Sequence, residues 1–407
     1  RRHVLRTGGA LGALGALGGA LGAAPANAAP AALPWTWSGA GSVIGTGTGE
    51  DPRWLWDEEA DPLVASLIDR GDVPRVNELL RTWTTNAQPL PAGLPADLHD
   101  FIERARQLPS WADPAKLASA VDFNEKRGLY LGLLYGLGSG MMSTVIPREA
   151  RAVYYSQGGA DLKDRISKTA KLGYDVGSPD AFAPGGEMVV TAVKTRLVHA
   201  AVRHLLPQSP AWSQISDERI PISQRDILVT WHSLPTTVMA KLRAWNIRIP
   251  QAESEGFLHS WQVTAHLLGV RDEFIPATWD EANAQSAQVL DPLLGPTPEG
   301  IELAELLLSL AAEIDGGLSR PFLDAMTRYL LGDRIADWLR IPRQPAWDLY
   351  VRTGWPAFLA FREALLPLPL VPKGYWVFDE FLRQGALFFL SEGKRISIEI
   401  PTANRPS

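Results

Sequence analysis

Apolar residues recur at spacings of three and four along most of the chain, the period of a helix that buries one face. The pattern runs over residues 61–69, 73–83, 113–135 and 161–172, and returns at 187–206, 224–245, 256–268, 299–312, 322–339 and 375–389. Prolines at 89–95, 207–210, 250 and 367–372 punctuate it; a fixed φ and a missing amide donor stop a helix there. Alternation of the strand type is confined to 395–400, too short to define a sheet. The pattern predicts an all-α fold, with one helical domain over residues 29–407, its core at about 113–340, and extra helices towards both ends.

Composition agrees with a packed domain: of 407 residues, 46% are apolar and 21% charged. The absence of cysteine removes disulfides, thiolate metal sites, a cysteine nucleophile and covalent c-type haem. A net charge of −6 argues against a nucleic-acid partner, which needs a basic face. The opening segment stands apart. Arg1-Arg2 and Arg6 precede a run of Gly, Ala and Leu from Gly8 to Ala24, and Ala26-Asn27-Ala28 has the small-x-small form of a cleavage site. Residues 1–28 are therefore expected to be a secretion signal, of the twin-arginine type by its paired arginines and with the start of its basic region missing. Export without disulfides leaves stability to the core or to a bound cofactor.

Residues 128–146 carry no charge and include five glycines. A bilayer span is one reading; a central helix of a large core, where glycines let other backbones approach, is the better one.

Three places hold candidate chemistry. On 187–206, Val190, Val193, Leu197, Ala201 and Leu205 form an apolar stripe, while Thr195, Arg196, His199 and Arg203 share another face. Two arginines beside an imidazole favour its neutral form, which suits a metal ligand, and can also pair with carboxylates of a bound group. A surface histidine on a basic face fits the same spacing. On 161–172, Asp161, Arg165, Lys168, Thr169 and Leu172 project to one side, either as a solvated face or as a polar pocket wall. A lysine lodged there among apolar groups would lose its proton and serve as a weak ligand or base. Glu149, just past the uncharged run, is either a first-turn acid of a helix or a base with raised pKa at the mouth of an apolar cavity. His259 and His266, seven apart, also share a face. No HExxH, GxSxG, P-loop or strand-borne GxGxxG is present.

Glu149-Ala150-Arg151, Arg165-Ile166-Ser167-Lys168-Thr169, the helix Thr195–Arg203 and Trp261-Gln-Val-Thr-Ala-His-Leu-Leu-Gly269 together resemble the latex clearing proteins, secreted rubber oxygenases of actinobacteria. The resemblance implies a globin-like helical core holding b-type haem noncovalently. It also implies dioxygen-dependent cleavage of cis-1,4-polyisoprene to oligomers with aldehyde and ketone ends. On it, His199 is the proximal ligand, Glu149 the base for an allylic proton, and Arg165 and Thr169 polar groups of the distal side. Arg196 and Arg203 would pair with propionates or shape the pocket, and Lys168 would be a distal ligand when no polymer is bound. A monomer with no stable membrane insertion is expected. The alternatives are a haem oxygenase or peroxidase for another hydrophobic compound, and a non-catalytic haem- or lipid-binding protein.

Overall fold

Helices start where the sequence supplies acceptors for their first amides. In the computed structural model, Asp113 accepts from Ala115 and Lys116 ahead of Pro114, Thr278 from Glu281, and Thr297 from Gly300 ahead of Pro298. Ser223 and Asp226 form a reciprocal capping box. The structure describes residues 34–156, 162–216 and 219–405; the predicted secretion signal and Asp161 lie outside them.

The longer helices are, in order, α1 Ala60–Asp69, α2 Val73–Leu80, α3 Ala96–Ala105, α4 Pro114–Leu133, α5 Pro147–Tyr155, α6 Leu162–Asp175, α7 Met188–Leu205 and α8 Gln224–Trp231. They continue with α9 Thr237–Ala244, α10 Gln251–Leu267, α11 Trp279–Val289, α12 Pro298–Glu313, α13 Arg320–Leu331, α14 Asp333–Trp338, α15 Pro345–Leu365 and α16 Val371–Leu390. Among the described residues there is no strand, only isolated bridges joining Ser42 to Pro276 and Ser156 to Asn404. The fold is all-α, as the periodicity predicts.

Three predicted helices are broken in instructive places. The run 113–135 continues from α4 into a π-helical stretch, Leu134–Gly140. The run 224–245 is parted into α8 and α9 by a second π-helical stretch, His232–Thr236, at Pro235, which has no amide to donate. The run 322–339 divides at Gly332, whose φ of +84° closes α13 before α14 begins. The segment 395–400 forms no regular element and pairs with no strand. Its Ile398 and Ile400 are buried, and Asn77 bonds both the amide and the carbonyl of Ile400 at 2.9 Å. No single helix among the described residues is long and apolar enough to cross a membrane. The uncharged run folds into a chain bent by 89° between Pro114–Ser143 and Pro147–Tyr155.

The core is built on α4 against α10, and on α1 against α7. Gly256 lies where α10 meets α4: a Cβ there would come within 2.6 Å of the Lys116 carbonyl oxygen and 2.7 Å of the Ala120 nitrogen. Those neighbours are backbone and cannot swing away. Beside this contact, Arg127 is buried and ion-paired to Glu253 at 2.6 Å, with Lys126 on the other carboxylate oxygen at 2.5 Å. Gly256→Ala is therefore expected to destabilise the fold by about 1–3 kcal/mol, although alanine is the better helix former. A lowered denaturant midpoint at unchanged slope is the measurement that checks it.

Candidate active site

A cavity of about 1020 Å³ lies among α5, α6, α7, α8, both π-helical stretches, α12, α16 and the chain end at 398–404. It is near the upper end of the range for cofactor and drug-sized ligands. Its walls are mainly apolar: Leu303, Leu307 and Leu310 from α12, Phe389 and Leu390 from α16, and Trp231 and Trp261 further in. Ile314, just past α12, both lines the cavity and is 61% exposed, so the space reaches the surface there. Both π-helical stretches face it, through Tyr135–Leu137, Ser139, Gly140, Ser233 and Leu234, and the Ser139 hydroxyl donates to the Ser233 carbonyl at 2.5 Å. Departure from the α-helical ladder exposes or redirects backbone groups, a common device at functional sites.

Of the seven residues to which the resemblance gives a role, five line this one space: Glu149, Arg165, Lys168, Thr169 and His199. Glu149 sits in the first turn of α5, where Pro147 at the start of the helix and the extended Ile146 aim the turn at the cavity. Burial raises its pKa to about 8, with the nearby Asp226 adding to the rise; a hydrogen bond from Thr230 and the Arg165 charge oppose it. The Thr230 hydroxyl lies 2.5 Å from Glu149 Oε1. Arg165, on α6, has no carboxylate within ion-pairing distance among the described residues. Burial lowers its pKa to about 10 against the field of Glu149, and it remains a cation at neutral pH. Thr169, one turn on, lines the cavity while its hydroxyl donates to the Arg165 carbonyl at 3.1 Å.

His199 differs from the other described histidines in having no polar partner. His232 is held by Thr236 and Gln285, His259 by Gln262 and the Asp113 amide, His266 by Asp272, His204 by Asp69, and His99 lies 3.5 Å from Asp100. The Nδ1 of His199 is buried with no hydrogen-bond partner. Burial lowers its pKa to about 3, aided by the charges of Arg203 and Arg165, so the ring is neutral across the physiological range. A neutral imidazole with a vacant nitrogen, on the wall of an apolar cavity, fits the donor that a haem iron needs. His259 and His266 do not line the cavity; they pack against Trp111.

Two expectations change. The cavity face of α7 is Thr195, Val198, His199, Val202 and Leu205, which excludes Arg196 and Arg203. Arg196 bonds Asp57 at 2.6 and 2.9 Å and reaches Glu59, so its charge is matched within the protein and not by a bound group. Arg203 bonds Asp61 at 2.8 Å and the Ile222 carbonyl at 3.1 Å. Ile222 lines the cavity with φ of +55°, a strained conformation for a β-branched residue, and Arg203 helps fix it from behind. Lys168 is the second case. Its ammonium is ion-paired to Asp164 at 2.6 Å, one turn back on α6, and is not a lone amine among apolar groups.

Thr230, Asp226 and Arg148 were not singled out in the sequence. They come from α8 and α5; the periodicity over 224–245 predicts the first helix but not which of its polar residues meets Glu149.

A neutral histidine and a buried acid line one cavity in an all-helical frame, and comparison with known proteins assigns that frame to the oxygenases. Residues 127–361 match the family described as ER-bound oxygenase mpaB/B'/rubber oxygenase, catalytic domain, and the chain belongs to that family. It is 60% identical over 408 residues to the rubber oxygenase of Streptomyces sp. (strain K30), an alignment covering 100% of this chain and 99% of the relative. The solved structure of latex clearing protein LCP in the closed state matches with a TM-score of 0.82 at 60% identity, covering 90% of this chain and 99% of that one.

Proposed function

We propose that this oxygenase binds haem b noncovalently at His199 and uses dioxygen to split the carbon–carbon double bonds of cis-1,4-polyisoprene, leaving an aldehyde on one fragment and a ketone on the other. The observation that carries the reading is the meeting, in one apolar cavity, of the unpartnered His199 and the buried Glu149. The rubber oxygenase and latex clearing protein relatives support it. Haem, when bound, supplies the binding and activation of dioxygen.

The chain's own residues do the rest. His199 offers iron a ring nitrogen without first losing a proton. An isoprene polymer has no hydrogen-bonding group, so its affinity rests on apolar burial along α12 and α16, from Ile314 inwards. Leu318, at 82% exposure just beyond α12, extends the apolar surface outside. Glu149, ionised, accepts the allylic proton as carbon–oxygen bond formation begins. Arg165 keeps an unmatched cation near that carboxylate and stabilises negative charge as it develops; Thr169 adds a polar edge. Lys168 acts on the distal side only after leaving Asp164. The composition of residues 1–28 supports export, and we read the mature protein as a secreted monomer.

Incubation with purified polyisoprene latex is expected to yield carbonyl-terminated oligomers from a preparation showing a Soret band. Oxidation of small terpenoids without any oligomers would assign the site to another hydrophobic substrate, and a colourless folded protein would remove haem.

A further inference from the structure

Thr230 carries one hydroxyl proton and faces two acceptors. Its Oγ1 lies 2.5 Å from Glu149 Oε1 and 3.1 Å from the backbone carbonyl of Asp226. One proton cannot be given to both. While Glu149 is ionised, the carboxylate is the stronger acceptor and takes it, in a charge-assisted bond of the usual short length. Once Glu149 is protonated, the same two contacts are satisfied only in the reverse sense: Glu149 donates to Thr230, and Thr230 donates to the Asp226 carbonyl. Neither state leaves a buried polar atom unpaired, and no heavy atom has to move between them.

We propose that Thr230 is a positioning residue for Glu149, a hydroxyl rotor that donates to the carboxylate before proton uptake and turns to the Asp226 carbonyl afterwards. The inference rests on the reading of Glu149 as the base and adds a residue to it. The surroundings make the rotor consequential. Asp226, on the same helix, has its Oδ2 held by the Ser223 amide at 2.8 Å, the Ser223 hydroxyl at 3.1 Å and Arg148 at 3.0 Å. It therefore stays fixed as a neighbouring carboxylate. Arg165 faces Glu149 from α6, and His199 on α7 is neutral. Glu299 and Glu302 on α12 engage Arg151, Tyr154 and Tyr155 of α5. The charges acting on Glu149 thus oppose one another, and the hydroxyl is the donor that favours its ionised form.

The test is an infrared titration of the Glu149 carboxyl in the full-length holoprotein, its band identified as the one lost in Glu149→Gln, alongside the pH dependence of turnover. Thr230→Val keeps the side-chain shape and removes the hydroxyl. It is expected to move the midpoint upwards by about one pH unit, since the ionised form loses the stronger bond, and to carry the acid limb of turnover with it. Thr230→Ser is expected to restore the midpoint. Asp226→Asn, which keeps an acceptor for the cap and removes the like charge, is expected to move it downwards. A general packing defect would not shift two variants in opposite directions. An unchanged midpoint in Thr230→Val, or a serine variant that behaves like valine, would overturn the proposal. If Thr230→Val does not fold, Thr230→Ala is titrated in its place, and an unchanged midpoint there overturns the proposal equally. Full turnover in Glu149→Gln would refute Glu149 as the base, while the infrared midpoints would still decide the role of Thr230.

Discussion

His199→Ala is expected to lose or loosen haem and to lower turnover by about 100-fold or more, since displacing even the groups that support a metal ligand costs 10–100-fold. No other described histidine lines the cavity to replace it. The ring also makes no bond that the fold requires, because its Nδ1 is without a partner. The neighbouring α7 residues Leu197, Ala200 and Ala201 are buried and anchor the helix independently. Helical content by circular dichroism should therefore be unchanged while the Soret band weakens and bound iron falls. Added imidazole, which fits the space vacated by the side chain, should recover part of the band. A full, unshifted haem spectrum in the variant would refute the assignment, whatever the activity.

The fold was readable in the sequence where one helical face is apolar and the other is not. α1, α7 and α10 follow from spacing, and the burial of Ile398 and Ile400 follows the alternation at 395–400. α3, α11 and α15 were passed over. Trp279–Val289 is a string of Ala, Gln, Asn and Glu with few apolar anchors, and Pro345–Leu365 has apolar residues all round and a proline inside. The π-helical stretches could not be read from periodicity, because one extra residue per turn is set by what packs on either side. For the site, spacing placed Arg165, Lys168 and Thr169 together because they share one helix. It could not decide which face of α7 meets the cavity. Arg196 and Arg203 looked like ligand-binding groups; their partners Asp57, Glu59 and Asp61 are more than 130 residues earlier in the chain. Thr230 was invisible for the same reason. Its meaning lies in a contact with Glu149 across 81 residues.

Glu149→Gln tests the chemistry and shows why the site is costly to the fold. Glutamine keeps the size of the side chain and a hydrogen bond with Thr230 but cannot accept a proton, so turnover should fall by about 10²–10⁴-fold. Haem should stay, because Glu149 is on α5 and the proposed iron donor, His199, is on α7. In the proposed role Glu149 works as the carboxylate, and its pKa of about 8 lies above the ordinary value of 4.5. Turnover should therefore climb as pH rises through about 8 and level off beyond. Stability runs the other way. A carboxyl whose pKa is raised on folding contributes stability that is complete below the ordinary value and is lost as pH rises through the folded one. From about pH 5 to pH 9 the wild type should thus lose thermal stability relative to Glu149→Gln, whose amide does not titrate. Melting curves at the two pH values check this directly; parallel behaviour of the two proteins would mean that Glu149 is not buried as an acid. The conditions that ready Glu149 for catalysis are those in which it weakens the fold, the exchange of stability for activity expected when a proton acceptor is held out of water.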